Sequence, residues 1–212
     1  MQITRFTVGP FGENTYFLTE GDEALIIDPG FVEPSEFSRV QSHIDEDELN
    51  VLAVILTHAH VDHVLGLDKV LDEYEIPVYL NNKDRYLWNN FGSQAAMFGL
   101  QASGFSFDPE PLQVQPEWKI GNFSFDVRYT PGHSPDHVSL YSEADGAVIA
   151  GDTLFKEGIG RTDLYKGDFK LLEQSIREQL YTLPDETIVY PGHGPETTIA
   201  HEKQSNPFVK RQ

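Results

Sequence analysis

The sequence contains no cysteine, no long apolar run and few basic residues, and each lack closes off a class of protein. Without cysteine there is no disulfide framework and no thiolate ligand, so any bound metal must be held by imidazole and carboxylate. That donor set suits zinc, iron or manganese without choosing among them. No apolar stretch approaches the roughly 20 residues of a membrane-spanning helix, and Met1-Gln2-Ile3-Thr4-Arg5-Phe6 lacks the charged-then-apolar pattern of an export signal. A cytoplasmic protein without membrane attachment is the expectation. Basic residues number 15 against 34 acidic ones, a formal net charge of −19. Phosphate repulsion then disfavours nucleic acid as a partner, because no Lys/Arg cluster opposes it; the only adjacent basic pair near the tail is Lys210-Arg211. The excess charge keeps the protein soluble. An anionic substrate would need a local positive centre, which a pair of bound divalent ions would supply.

What is present suits a globular enzyme. The 212 residues are 39% hydrophobic and 23% charged, enough to build a sizeable core, and one domain over 1–212 is the simplest division. Alternation and turn residues predict strands at Gln2–Val8, Asn14–Thr19 and Ala24–Asp28, then a helix over Pro34–Glu46. Val51–Thr57, a continuous apolar run rich in β-branched residues, reads as a buried strand. A helix over Val64–Tyr74 and a strand at Ile76–Leu80 come next. The aromatic stretch Asp84–Phe107 has no clean period. Its residues are expected to pack over a sheet or form a dimer contact, with a lid over a substrate pocket as the other reading. Strands then resume at Trp118–Ile120, Phe123–Thr130, Val138–Ser142 and Ala147–Ala150. A helix at Phe169–Tyr181, a strand at Thr187–Tyr190 and a last helix near Thr197–Gln204 complete the chain. Two runs of strands, each followed by helices, indicate an α/β sandwich of two similar halves.

The chemistry is concentrated at strand ends. His58, His60, Asp62 and His63 follow the strand Val51–Leu56; Pro131-Gly132-His133 follows Phe123–Thr130; Gly151-Asp152 follows Ala147–Ala150; and Pro191-Gly192-His193 follows Thr187–Tyr190. Metal-type ligands offered from several strand ends suit a site on the rim of a rigid scaffold. A turned loop can aim His58 and His60 at one ion while Asp62 and His63 serve a second. Asp152 is the isolated carboxylate for a bridge, and His133 and His193 complete one ion each. A lone histidine is more often a surface or satisfied core residue, and His43 and His201 are read that way. Convergence of seven ligand-type residues on strand ends is not explained so simply.

These motifs resemble those of the metallo-β-lactamase superfamily, whose fold is an αββα four-layer sandwich. Gly151-Asp152-Thr153-Leu154-Phe155, Gly160-Arg161-Thr162-Asp163 and Pro191-Gly192-His193-Gly194-Pro195-Glu196-Thr197-Thr198 are similar to the glyoxalase II (hydroxyacylglutathione hydrolase) branch, in its short bacterial form. The resemblance implies two divalent ions, zinc being expected and iron or manganese being alternatives. The first would be held by His58, His60 and His133, the second by Asp62, His63 and His193, with Asp152 bridging. It implies hydrolysis of a thioester such as S-lactoylglutathione by a metal-bridging hydroxide that Asp62 helps to orient. Arg161 has two readings: a two-pronged hold on a substrate carboxylate, or a pair with Asp163. His137 reads as a partner behind the ligands. Asp136 stands where relatives tend to have Gly.

The sequence holds 19 residues after His193, so the helical C-terminal domain that carries much of the glutathione site in longer relatives is not expected. A thiol carrier other than glutathione therefore stays open. The rival enzyme is a persulfide dioxygenase of the same fold, with one iron on His58, His133 and Asp152. A lactonase is a further alternative. A nuclease is disfavoured by charge, and a class B β-lactamase by the missing cysteine and export signal. A protein that only stores or senses metal is the non-enzymatic reading.

Overall fold

The computed structural model describes residues 1–210, so Arg211 of the basic pair lies outside the described residues. Residue contacts group the chain into two compact units: Met1–Leu112 with Ile120–Phe123, and Gln113–Lys119 with the chain from Ser124 onward.

The first unit is built on a six-stranded sheet of sequential order. Its strands are β1 (Gln2–Val8), β2 (Glu13–Glu20), β3 (Glu23–Ile27), β4 (Asn50–Ile55), β5 (Val78–Leu80) and β6 (Glu110–Pro111). The first three pair antiparallel and β3 to β6 run parallel. Parallel strands are covered on both faces, which is why β3 and β4 are runs of Ala, Val, Leu and Ile and not alternating patterns. Edge strand β1 instead alternates at its end, with exposed Thr7 between buried Phe6 and Val8. Helix α1 (Pro34–Glu46) starts on a proline and turns Phe37, Val40 and Ile44 inward, the spacing of one helical face. Helix α2 (Leu67–Glu73) comes after the ligand loop and is shorter than its sequence pattern suggests. The aromatic stretch forms two short helices, α3 (Tyr86–Asn89) and α4 (Phe91–Met97). Trp88 and Phe91 are buried there, and Phe105 stacks on Trp88 with ring centroids 4.6 Å apart.

The second unit carries the other six-stranded sheet, ordered β14-β13-β10-β9-β8-β7. Its strands are β7 (Trp118–Ile120), β8 (Phe123–Tyr129), β9 (Val138–Ser142), β10 (Ala147–Gly151), β13 (Ile188–Pro191) and β14 (Thr197–Thr198), with a separate ribbon β11 (Leu154–Phe155) and β12 (Gly158–Ile159). In β8 the buried residues Phe123, Phe125 and Val127 alternate with more exposed ones, as on a half-covered sheet. Helix α5 (Phe169–Ser175), capped by the Asp168 carboxylate, widens into a π-type turn over Ile176–Leu180. It packs Leu172, Ile176 and Leu180 into a core with Val148, Val189 and Ile199, the last from helix α6 (Ile199–Ser205).

Parallel pairing is what positions the ligand-type residues. Strands β3 and β4 lie in register with Ile27 opposite Ile55, and β10 and β13 with Gly151 opposite Pro191. In each unit two parallel strands therefore finish side by side, which is where open α/β sheets place their ligands. Among the described residues no helix is long and apolar enough to cross a membrane.

Candidate metal centre

In the first unit the end of β4 runs through Leu56 and Thr57 into His58, and the ligand loop closes with a 3-10 turn at Val61–His63. His58 and His63 are fully buried, His60 nearly so, and Asp62 is partly exposed. The rings gather closely: His58 lies 4.2 Å from His63 and 4.8 Å from His60 between centroids. The Asp62 carboxylate approaches His63 Nε2 at 4.0 Å.

Asp28, the residue after β3, organises this loop. Its Oδ1 accepts the Thr57 N–H at 2.7 Å and its Oδ2 accepts the Thr57 hydroxyl at 2.6 Å. The same Oδ2 lies 3.0 Å from His63 Nδ1. Thr57 has spent its hydroxyl proton on Asp28, so its oxygen can only accept from His58 Nδ1, 3.0 Å away. Both imidazoles are thereby fixed as Nδ1–H tautomers with the lone pair on Nε2, the form a metal ligand needs. Asp28, His58 and His63 bring ligand-type atoms within 4.8 Å of one another. With three donors converging on it, the Asp28 carboxylate orients Thr57 and the His63 imidazole.

Behind His63 sits a second carboxyl, Glu13, fully buried and 3.9 Å from His63 Nδ1. Burial pushes its pKa well above the usual carboxylate range, more than the nearby His63 pulls it down. Thr15 Oγ1 lies 2.9 Å from both Glu13 Oε2 and the Asp28 carbonyl oxygen, while accepting from Gly30 N–H. Thr15 donates to both oxygens, and its bond to Glu13 pulls the Glu13 pKa down by less than burial raises it.

In the second unit Asp152 stands between two imidazoles, its Oδ2 3.4 Å from His133 Nε2 and 3.6 Å from His193 Nε2. His133 Nδ1 lies 2.8 Å from the Arg161 carbonyl oxygen, which can only accept. His133 is therefore also an Nδ1–H tautomer when neutral, and its Nε2 lone pair faces a carboxylate oxygen. Two lone pairs at that separation repel unless a cation lies between them, so this donor set fits a divalent ion. The Asp152 N–H in turn donates to His137 Nε2 at 2.9 Å. His137 Nδ1–H then reaches Thr130 Oγ1, and a hydroxyl chain continues through Ser139 to the Ala150 carbonyl. His137 thus serves the backbone of Asp152 and is not itself a ligand, as read from the sequence.

The family model of the metallo-β-lactamase superfamily matches residues 8–193. A probable metallo-hydrolase of Bacillus subtilis, YqgX, is 41% identical over 99% of this chain and 98% of its own. The hydroxyacylglutathione hydrolase GloC of Haemophilus influenzae is 36% identical over 99% and 98%. Among solved structures, TTHA1623 in a di-iron-bound form superposes with a TM-score of 0.87 at 37% identity, covering 97% of this chain and all of that one. The chain belongs to the metallo-β-lactamase superfamily. Its α/β fold is that of the superfamily.

The remaining residues of the metallo-β-lactamase motifs have other duties. The Arg161 guanidinium grips Asp163 with two hydrogen bonds of 2.7 Å, both side chains being more than half exposed. Those bonds hold the Asp163 carboxyl down at about 2. The backbone of Arg161, not its side chain, touches a metal-type ligand. Asp136 is buried and accepts the Ser134 hydroxyl at 2.8 Å. His43 lies half-buried against the rings of Phe6 and Phe17, and His201 pairs with Glu157. A cavity of about 430 Å³ beside Trp88, Phe105 and Phe107 contains none of the ligand-type residues. Asp28 and Glu13 were not singled out by the motif. For Asp28 the signal was available, since it too comes directly after a buried strand and precedes Pro29-Gly30.

Proposed function

We propose that this chain binds two divalent ions and hydrolyses a thioester such as S-lactoylglutathione. In this reading His58, His60 and His133 hold one ion, Asp62, His63 and His193 the other, and Asp152 bridges. The observation that carries it is the tautomer lock: Asp28, Thr57 and the Arg161 carbonyl each hold an Nδ1–H, leaving an Nε2 lone pair on His58, His63 and His133. Similarity to GloC supports the substrate class, and the di-iron form of TTHA1623 supports two ions and keeps iron beside zinc. Metal ions in such a set supply a water of lowered pKa and a polarised carbonyl. The residues of the chain do the rest. Asp62, partly exposed beside buried His63, orients the attacking water. Asp152, pinned through its N–H by His137, keeps its carboxylate between His133 and His193. Arg161, at the rim, is proposed to exchange Asp163 for a substrate carboxylate.

Elemental analysis of protein purified without chelator, paired with thiol release from S-lactoylglutathione, tests the proposal. Near two ions per chain and turnover abolished together by His58→Ala or Asp152→Ala is the expected result. Near one iron per chain with oxygen uptake on a persulfide would replace it with the dioxygenase reading.

A further inference from the structure

The ligand loop of the first unit is bordered by an apolar rim that plays no part in holding metal. Helix α4 is fastened to the loop by Gln94, whose side-chain amide donates to the carbonyl of Ala59, between His58 and His60, at 3.0 Å. The helix stops at Gly99, which takes a left-handed φ of 73° while Leu100 N–H returns to the Ala95 carbonyl. This stop fixes the direction of Met97 and Phe98 at the helix end. Both face solvent, with exposures of 81% and 52%.

On the other flank, the turn between β1 and β2 carries Phe11. That turn is tied down at Gly9, whose N–H donates to Glu36 Oε1 at 2.8 Å. A side chain at Gly9 would strike the Gly30 carbonyl, and one at Gly30 would strike the Asp62 carbonyl. Gly9, Gly30 and Asp62 are therefore stacked without space between them. Phe11 and Phe98, from segments fastened to opposite ends of the ligand loop, meet edge to face with centroids 4.9 Å apart. An aromatic pair of this geometry is held by its own attraction as well as by its anchors.

We propose that Phe11, Phe98 and Met97 form an apolar subsite that selects the acyl part of the substrate, favouring unbranched aliphatic acyl groups over small hydroxylated ones. The inference rests on the thioesterase reading and sharpens it. Three side chains at the edge of a ligand loop suit a short aliphatic chain. They are too few for a stable second copy, which needs about 800 Å² per partner, against roughly 150–250 Å² for a whole aromatic side chain. An acyl group whose carbonyl carbon lay beside the ligand loop could lay its tail along that loop towards the Phe11–Phe98 pair. Hydroxyl groups on the tail would lose water here without gaining a donor or acceptor from Phe or Met.

The test is kcat/KM for the metal-loaded enzyme on thioesters of one thiol with acetyl, butanoyl, hexanoyl and lactoyl groups. Rates for the aliphatic series are expected to rise about two- to fourfold per added methylene, with lactoyl below butanoyl. In Phe98→Ser and in Phe11→Ser, read separately, the series flattens while melting temperature and metal content hold. If no thioester is turned over, the thioesterase reading fails. If thioesters are turned over but the wild-type series is flat, or stays steep in both variants, the subsite fails and the reading stands. Sedimentation showing a dimer that either variant splits would assign the rim to a second copy and likewise overturn the subsite.

Discussion

The two units hold their ligand-type residues by different means. In the first, side chains do the holding: the Asp28 carboxylate gathers Thr57 and His63, Thr57 relays to His58, and Glu13 backs the group. In the second, the backbone does it: the Arg161 carbonyl orients His133, and the peptide of Asp152 is the group that His137 grasps. A side-chain lock can be removed by one substitution and responds to protonation. A backbone lock depends on where the turns run and is reached only by disturbing their shape.

Substitutions at the two locks separate these cases, and the largest effect falls on the side-chain lock. Asp28→Ala leaves two buried donors of Thr57 and one of His63 without their acceptor, and puts alanine at a φ of 50° that aspartate tolerates better. A loss of roughly 3–5 kcal/mol in urea unfolding is expected, with metal retained poorly at any concentration. A loss under about 1 kcal/mol would show that the lock is not made of side chains.

Next in size is Gly160→Ala in the second unit, whose added methyl would meet the Asp152 carbonyl and the His133 ring. Roughly 1–3 kcal/mol of stability and about 10–100-fold in metal affinity should go, read by unfolding and by competition with a chelator. Full retention of metal would mean that the turn yields without moving the ligands.

The response to protonation is smaller and has a sign. Burial raises the pKa of Glu13 in the fold, while the unfolded chain releases that proton near the ordinary 4.5. From there upward, until pH reaches the raised folded value, the unfolded state binds fewer protons and wild-type stability falls with rising pH. Metal-stripped Glu13→Gln should lack this decline, so its stability gains on wild type as pH rises. Parallel curves would put a charged Glu13 in the fold.

Least affected is Arg161→Ala. Its carbonyl stays in place and its exposed pair with Asp163 contributes little, so melting temperature and metal content should not move. A rise in KM on top of that would mark the guanidinium as a substrate contact; an unchanged KM would leave it as the partner of Asp163.

The same contrast explains what the sequence could reveal. Ligand-type residues and their strand ends were legible because buried strands announce themselves as apolar runs, and a His or Asp directly after one stands out. Helix α1 was legible to both ends because Pro34 and the inward spacing of Phe37, Val40 and Ile44 agree. Helices α3 and α4 were not, since the helical path breaks at Asn90 and the buried residues Leu87, Trp88, Phe91 and Ala95 are divided between two short pieces. Two-residue strands β6, β11, β12 and β14 are defined only by the partner they meet. Asp28 is the instructive case. Its residue type and position were visible, but its role depends on Thr57, brought beside it by the parallel register of β3 and β4. Likewise the Arg161 side chain drew notice as a charge, while the part that orients His133 is a carbonyl common to every residue type.

One consequence of the Asp28 network concerns how the protein is supplied with metal in a living cell. Small zinc domains are unfolded until their ion arrives, so loading and folding are one event. Here Thr57, His58 and His63 are clasped by a carboxylate that belongs to the chain itself. These bonds would orient the imidazoles before an ion arrives, so loading need not coincide with folding. Which metal the protein carries would then track the abundance of the moment and could be reset when that abundance changes.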